Sequence, residues 1–371
     1  MSIPASRRRW GRRLAAAVAL QLTTAAPGLA DEPWAERTQA LGATTEMPTG
    51  TLSKADLDTL TETGKALFEA NFTTLDGVGR PGATQAIDPT RRKHPRQQAF
   101  FRTAGPDAGS CAACHNQPAS GGAGDFVANV FASEGFESAD FDSLDPQFSS
   151  ERGTNHLFGA GLVELLAREM SLELQSRRNE ALSKARDTGK TVRLSLTAKG
   201  IDFGFISADP DGSVNLDELD GVDTDLVIRP FTQKGVMTSL RQFTVNALNH
   251  HHGMQADERF GARWTGSDDF DGDGKTGEIT AGDVSALVAW QATLPAPVRM
   301  VPEIDGWAEA AARGEENFAQ FGCTSCHRPA LPLESLSFAD PGPFDQAGTL
   351  NDRQVGAKAI YDIALLDWAK T

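Results

Sequence analysis

Apolar positions recur along this chain at helical spacing in four places and at strand spacing in one. Gly64-Lys65-Ala66-Leu67-Phe68 opens a helix that carries Phe68 and Phe72 on one face. Leu157 to Ala185 reads as a long helix with Leu162, Leu165, Leu166 and Met170 as its stripe. Asp283 to Thr293 is a third, with Val284, Leu287, Val288 and Gln291 at helical spacing. The fourth, Gly314-Glu315-Glu316-Asn317-Phe318-Ala319-Gln320-Phe321, repeats the Gly-x-x-x-Phe opening of the first. Strand spacing falls on Val192, Leu194 and Leu196, then on Ile201, Phe203 and Phe205, with Lys199-Gly200 turning between them: a β-hairpin. Asp209-Pro210-Asp211-Gly212-Ser213 reads as a turn closing it. Residues 31–63 are polar and read as a leader, and the stretch between Phe72 and Cys111, with Arg91-Arg92-Lys93-His94, as a surface loop. The expectation is a mainly α chain with a β-hairpin insertion and loop-rich connections.

The four cysteines give this pattern a chemistry. They fall in two copies of one pentapeptide, Cys111-Ala112-Ala113-Cys114-His115 and Cys323-Thr324-Ser325-Cys326-His327. Cys-x-x-Cys-His is the attachment pattern of c-type haem: two thiols on one helical turn reach the vinyl groups, and the histidine binds the iron axially. A four-thiolate zinc site or disulfides would use the same cysteines, but neither gives a reason for a histidine after each pair. The reading is two covalent haems c, held by Cys111, Cys114, Cys323 and Cys326, with His115 and His327 as proximal ligands. Each motif follows a Gly-x-x-x-Phe helix, as at the start of a cytochrome c domain. Two cytochrome c-like haem domains are therefore expected, 64–235 with the hairpin inserted and 236–371.

Arg7, Arg8, Arg9, Arg12 and Arg13 precede an apolar stretch, Leu14 to Leu22, too short to span a bilayer, and Gly28-Leu29-Ala30 is a small-residue cleavage signal. Residues 1–30 read as a signal peptide removed near Ala30, giving a periplasmic or otherwise exported protein that is not membrane-spanning. The formal net charge is −15, and loss of five arginines with no acid makes it more negative. So acidic a surface argues against nucleic acid and suits a small basic electron-carrier protein, such as a soluble cytochrome.

Asp269-Phe270-Asp271-Gly272-Asp273-Gly274 matches the first half of a calcium loop, with Lys275 at the backbone-carbonyl position. Position twelve is Thr280 instead of glutamate, so Glu278 or Asp283 would have to close the site. Alternatively, Thr280 and Asp283 form a capping box for the following helix. For the haem irons, Asn249-His250-His251-His252-Gly253-Met254 is the densest group of potential distal ligands. Met254 comes first among them, then His252 and His251, with His156 outside the run. Nothing after His327 is a histidine, methionine or cysteine. Glu164, Glu169 and Glu258 are candidate proton handlers for chemistry at a haem iron, but each reads as an exposed helix or loop charge.

Together with the haem motifs, several segments carry a resemblance: Glu151-Arg152-Gly153-Thr154-Asn155-His156-Leu157-Phe158-Gly159, Arg229-Pro230-Phe231 with Lys234-Gly235, His252-Gly253-Met254-Gln255 with Glu258-Arg259-Phe260-Gly261, and the aspartate loop leading to Trp290-Gln291-Ala292. From about Gly64 onward the chain resembles the di-haem oxidoreductase family, distant relatives of the bacterial di-haem cytochrome c peroxidases. The resemblance implies periplasmic redox chemistry on two c-type haems, one passing electrons and the other reducing hydrogen peroxide or another small oxidant. Members of that family continue through a His-Asp-Met and a Leu-Trp-Gly segment absent here, so the C-terminal domain reads as truncated. A non-enzymatic di-haem electron-transfer protein, or an inactive truncated member, is the alternative function.

Overall fold

The computed structural model describes residues 39–41, 46–79, 109–129, 151–232, 235–344 and 359–364. In chain order these form β1 (Gly50–Thr51), α1 (Lys54–Glu69), α2 (Cys111–Cys114), β2 (Gly124–Asn129), β3 (Glu151–Thr154), α3 (Ala160–Thr188), β4 (Val192–Ala198), β5 (Ile201–Ala208) and β6 (Val214–Asn215). There follow α4 (Leu240–Ala247), a π-helical turn (Leu248–His252), α5 (Asp257–Phe260), α6 (Ala262–Thr265), α7 (Ala281–Thr293), α8 (Trp307–Gln320), β7 (Ser337–Ala339) and β8 (Ala359–Asp362). The signal segment, residues 31–38 of the leader, Arg91 to His94, Lys234 and the residues after Ala364 lie outside the described residues.

α7 is apolar almost all round, and every residue from Gly282 to Thr293 is buried, as such a helix must be. α1 lies along it. The expected leader does not reach residue 63: Ser53 and Asp56 form a capping box that starts α1 at Lys54, and Leu57 and Leu60 continue its buried face into Leu67 and Phe68. Gly64 sets the approach, since a Cβ there would stand 2.0 Å from the Ala286 carbonyl oxygen. α1 precedes residue 235 and α7 follows it, yet both belong to one apolar core with Met254, Phe338 and Tyr361.

α3 runs 29 residues, about 43 Å at 1.5 Å per residue. Gly159, left-handed at φ 77°, starts it, and Gly189 at φ 65° ends it. Its first half packs on the α1–α7 core through Ala160 and Leu165. Its second half supports a separate core, in which Leu174, Ala181 and Ala185 meet Leu196, Phe203 and Ile206 of the hairpin. The hairpin forms as expected: Lys199 and Gly200 take φ 49° and 77°, the two left-handed positions that match the twist of paired strands. The Asp209–Ser213 turn then returns the chain to β6, the third strand of that sheet.

The mainly α expectation with two cytochrome c-like domains is corrected. Helix takes 40% and strand 15% of the described residues, with three small sheets. Besides the hairpin sheet, β2 pairs with β3 antiparallel, and β8 lies between β1 (parallel) and β7 (antiparallel). Strands of two to six residues, paired across long sequence separations, leave too little alternation to read. Among the described residues, no helix is long and apolar enough to cross a membrane.

Charged residues also enter the interior. Arg241 is fully buried and reaches Glu258 at 2.5 and 3.1 Å, Asp340 at 2.8 and 3.1 Å, Ser285 at 2.8 Å and the Ala281 carbonyl at 2.9 Å. Glu164, also fully buried, accepts from the Leu240 amide at 2.7 Å and pairs with Arg168. Glu169 accepts from the amides of Glu334 and Ser335 and pairs with Lys199. These glutamates are therefore not the exposed charges expected; complementary donors hold Glu164 and Glu258 inside. Arg241→Met strands two buried carboxylates and should lower the unfolding free energy by about 3–5 kcal/mol. Urea denaturation measures it, and a loss below about 1 kcal/mol would mean the network is not holding the core.

Candidate functional site

The first Cys-x-x-Cys-His motif is a single helical turn started by Ser110, whose hydroxyl accepts from the Ala113 amide at 3.0 Å. Cys111 and Ala112 rest against the main core, and Cys111 and Cys114 are half-buried residues. Burial, reinforced by Cys114, pushes the Cys111 thiol up to about 12, and burial raises Cys114 as well. Both stay protonated thiols. No disulfide joins the four cysteines. Nor do they converge as a four-thiolate tetrahedron would require: among the described residues, the only group of potential ligand atoms that converges is Asp269, Asp271 and Asp273.

His115 is fixed from behind. Its Nδ1–H donates to the Gly122 carbonyl at 3.2 Å, which leaves Nε2 as the nitrogen able to bind a metal. Burial lowers its pKa, against hydrogen bonds to the main chain of Gly122 and Asn155, and so favours the neutral, ligating imidazole. The loop behind it admits only glycine at key points. A Cβ at Gly124 would stand 1.9 Å from the Cys114 carbonyl oxygen, and one at Gly122 2.0 Å from that of Gln117. Gly121 donates to the His115 carbonyl and accepts from the Leu157 amide at 2.7 Å, tying down the segment that contains Asn155 and His156. Phe68 lies 6.2 Å from the His115 ring and 4.3 Å from Trp290, centroid to centroid.

The histidine-rich run comes to this motif. After α4 the chain makes its π-helical turn, Leu248–His252, capped by Gly253 at φ 68°. His252 is buried, with Nε2 3.8 Å from the Cys111 Sγ and its ring 5.7 Å from that of Phe72. His250, also buried, meets the Asn246 side chain at 3.2 Å. Met254 is fully buried in the apolar core. His251 keeps part of its surface, and its pKa is pushed down to about 4, first by burial and then by the charge of His115. His156 is exposed and stacks on Phe158, 5.9 Å away.

The second motif has the same local form, with the His327 amide donating to the Cys323 carbonyl at 2.8 Å, against 3.0 Å from His115 to Cys111. Its surroundings differ. His327 and Cys326 are exposed, and α8 buries no residue. Trp307, Ala311, Gly314, Phe318 and Phe321, spaced four, three, four and three, form an apolar stripe with Phe321 78% exposed. Phe318 lies 5.8 Å from His327, as Phe68 lies near His115. Where Gly64 touches α7, a Cβ on Gly314 would meet nothing within 4 Å.

In the aspartate loop, the amides of Gly272, Asp273 and Gly274 donate to Asp269 at 2.7, 3.1 and 3.1 Å, and that of Lys275 to Asp273 at 2.6 Å. The carboxylates of Asp269, Asp271 and Asp273 lie within 4.8 Å of one another. Asp283 is engaged elsewhere: it forms the capping box with Thr280 that starts α7, at 2.8 and 3.0 Å. Glu278 stands outside that converging group but within reach of its charge. Burial first, then the charges of Asp271 and Asp273, raise it to about 10, while it accepts from the Gln255 amide at 2.7 Å and side chain at 2.8 Å. Three converging aspartates beside a half-buried glutamic acid offer the oxygen donors that a hard divalent cation takes. The sequence reading missed Gln255, the link from this loop to the histidine-rich run.

Searches against protein-family models, curated proteins and solved structures found no match for the chain. Local chemistry therefore carries the functional argument. Its sharpest test lies behind His115. Gly124→Ala should displace the strand from the motif at a cost of about 1–3 kcal/mol, seen as a lower urea midpoint, whereas a neutral substitution would mean the cradle yields.

Proposed function

We propose that this protein carries two covalent haems c and acts as an exported di-haem oxidoreductase of peroxidase type. The observation that carries the reading is His115, directly after two protonated thiols, its Nδ1 held by Gly122 and its Nε2 left for a metal. Cys111 and Cys114 would hold one porphyrin and Cys323 and Cys326 the other, with His115 and His327 on the irons. Phe68 and Phe318 offer each ring an aromatic edge, and the bare stripe of α8 is apolar surface that a second porphyrin would cover in part. Bound haem supplies one-electron transfer and, at an open coordination position, reaction with a small oxidant such as hydrogen peroxide. The likeness to di-haem oxidoreductases supports this assignment, and the N-terminal signal supports export to the periplasm.

The chain's own residues limit the chemistry. Glu164 and Glu258 are locked in buried ion pairs, so they are poor candidates to carry protons to an oxidant. Exposed acids around α8, including Glu303, Asp305, Glu309, Glu315 and Glu316, suit a small basic electron carrier at the second motif. A second reading, a non-enzymatic electron-transfer protein, draws on the histidine-rich turn beside Cys111, which can close the first iron to outside ligands. We further propose that Asp269, Asp271, Asp273 and Glu278 hold a calcium ion, with Asp283 reserved for the helix cap.

Haem-stained denaturing gels and intact mass should show two attached porphyrins on a chain beginning near Asp31; one or none ends the proposal. Peroxide titration of the half-reduced protein then separates enzyme from carrier, because turnover with a high-spin haem favours the former and two inert low-spin haems the latter. Calcium at a hundred times its Kd should stabilise chelated protein by about 2.7 kcal/mol, and Asp271→Asn should abolish the gain. Thr280→Ala should cost about 1 kcal/mol whether or not calcium is present. A melting temperature indifferent to calcium would leave the loop as a turn.

A further inference from the structure

We infer that His251 is the sixth ligand of the iron bound at the first motif, an inference that rests on the haem reading above and selects one residue from the histidine-rich run. Main-chain hydrogen bonds hold that run in place. Gly253 donates to Asn249 and Met254 to Leu248, and the Gly79 amide donates to the His252 carbonyl, so the turn is fixed to the segment beyond Phe72. Its side chains then divide. His250 turns back to Asn246 on α4, Met254 enters the apolar core, and His252 sits with Phe72 against the Cys111 sulfur. His251 is the one of the four that is not buried, and among the described residues its side chain makes no hydrogen bond.

Position supports the assignment. Contact between His252 and Cys111, 3.8 Å apart, brings the turn, and His251 with it, to the attachment helix. A π-helical turn suits this, because a wider turn shifts the side chains that follow it off the regular helical register, and such turns gather at functional sites. His156 is the weaker rival, being exposed and stacked on Phe158. A coordination position taken by His251 is closed to peroxide, which would make the first haem the electron-transfer site and leave the small oxidant to the second.

The test uses the full-length haem-loaded protein with Cys323→Ser and Cys326→Ser, changes at a motif that contributes nothing to the core, so that the spectrum reports the first haem alone. Intact mass establishes attachment before any spectrum is read; a parent with no porphyrin overturns the haem reading itself. With haem attached, optical and electron-spin-resonance spectra should show a low-spin ferric iron with two nitrogen ligands. His251→Ala should turn it high-spin, added imidazole should restore the low-spin signal, and His251→Met should keep a low-spin iron while raising its midpoint potential. His252→Ala and His156→Ala should stay low-spin. A His251→Ala protein that keeps both its haem and its low-spin spectrum overturns the inference and leaves the haem reading intact, as does a high-spin parent.

Discussion

The contact between α1 and α7 at Gly64 is the constraint on which the rest depends. Only a residue without a Cβ lets the two backbones meet there, and the approach brings Phe68, one turn on, against both Trp290 and His115. The same α7 begins at the Thr280–Asp283 cap that ends the aspartate loop. It ends at Leu294, whose carbonyl accepts from Gly159 and whose side chain lies under Gly121 in the loop behind His115. One helix pair therefore fixes His115 and ties it to the candidate cation loop. A slip of α7 would move all three together.

The two Cys-x-x-Cys-His motifs show what that contact adds. Their local hydrogen bonding is nearly the same, and each has an aromatic residue of a Gly-x-x-x-Phe helix beside its histidine. The first is nevertheless embedded, whereas α8 presents its Trp307–Phe321 stripe to solvent. A 14-residue helix with no buried face is only marginally stable by itself, because nucleation costs more than a few turns of hydrogen bonding return. Among the described residues, the second motif thus has its local geometry without a packed frame.

Much of this was legible in the sequence where a local rule decides the outcome. Lys199-Gly200 between alternating apolar runs can only be a tight hairpin, and the Thr280–Asp283 spacing is a cap as written. The aspartates also converge as their spacing implies. What could not be read depends on partners distant in sequence. β1 and β8 are too short to show a period, and their pairing spans some three hundred residues. Glu164 and Glu258 look like surface charges until Leu240, Arg168 and Arg241 supply buried donors. The histidine run was visible as a cluster, but helical register could not sort its members, because the π-helical turn re-aims each of them.

That turn also explains how the two candidate sites come to share a support. Glu278 accepts from Gln255 twice, and the residue following each pairs with the other, Ala256 with Ile279, in a parallel bridge. Gly77 packs on Glu278, where a Cβ would stand 2.3 Å from its carboxyl carbon, and Gly79 holds the His252 carbonyl. The segment 73–79, the histidine-rich turn and the end of the aspartate loop thus form one cross-braced unit. A cation that takes the Glu278 carboxylate must compete with Gln255, which lies three residues beyond His252. A cation in the loop would therefore act on the turn through Gln255, whose amide and side chain both donate to Glu278, and Gln255→Ala would remove the side-chain bond while sparing both sets of candidate ligands. If the proposed calcium and haem are bound, such a variant should still take the cation, yet the haem spectrum at the first motif should respond to it less; a response of undiminished size would place the coupling elsewhere.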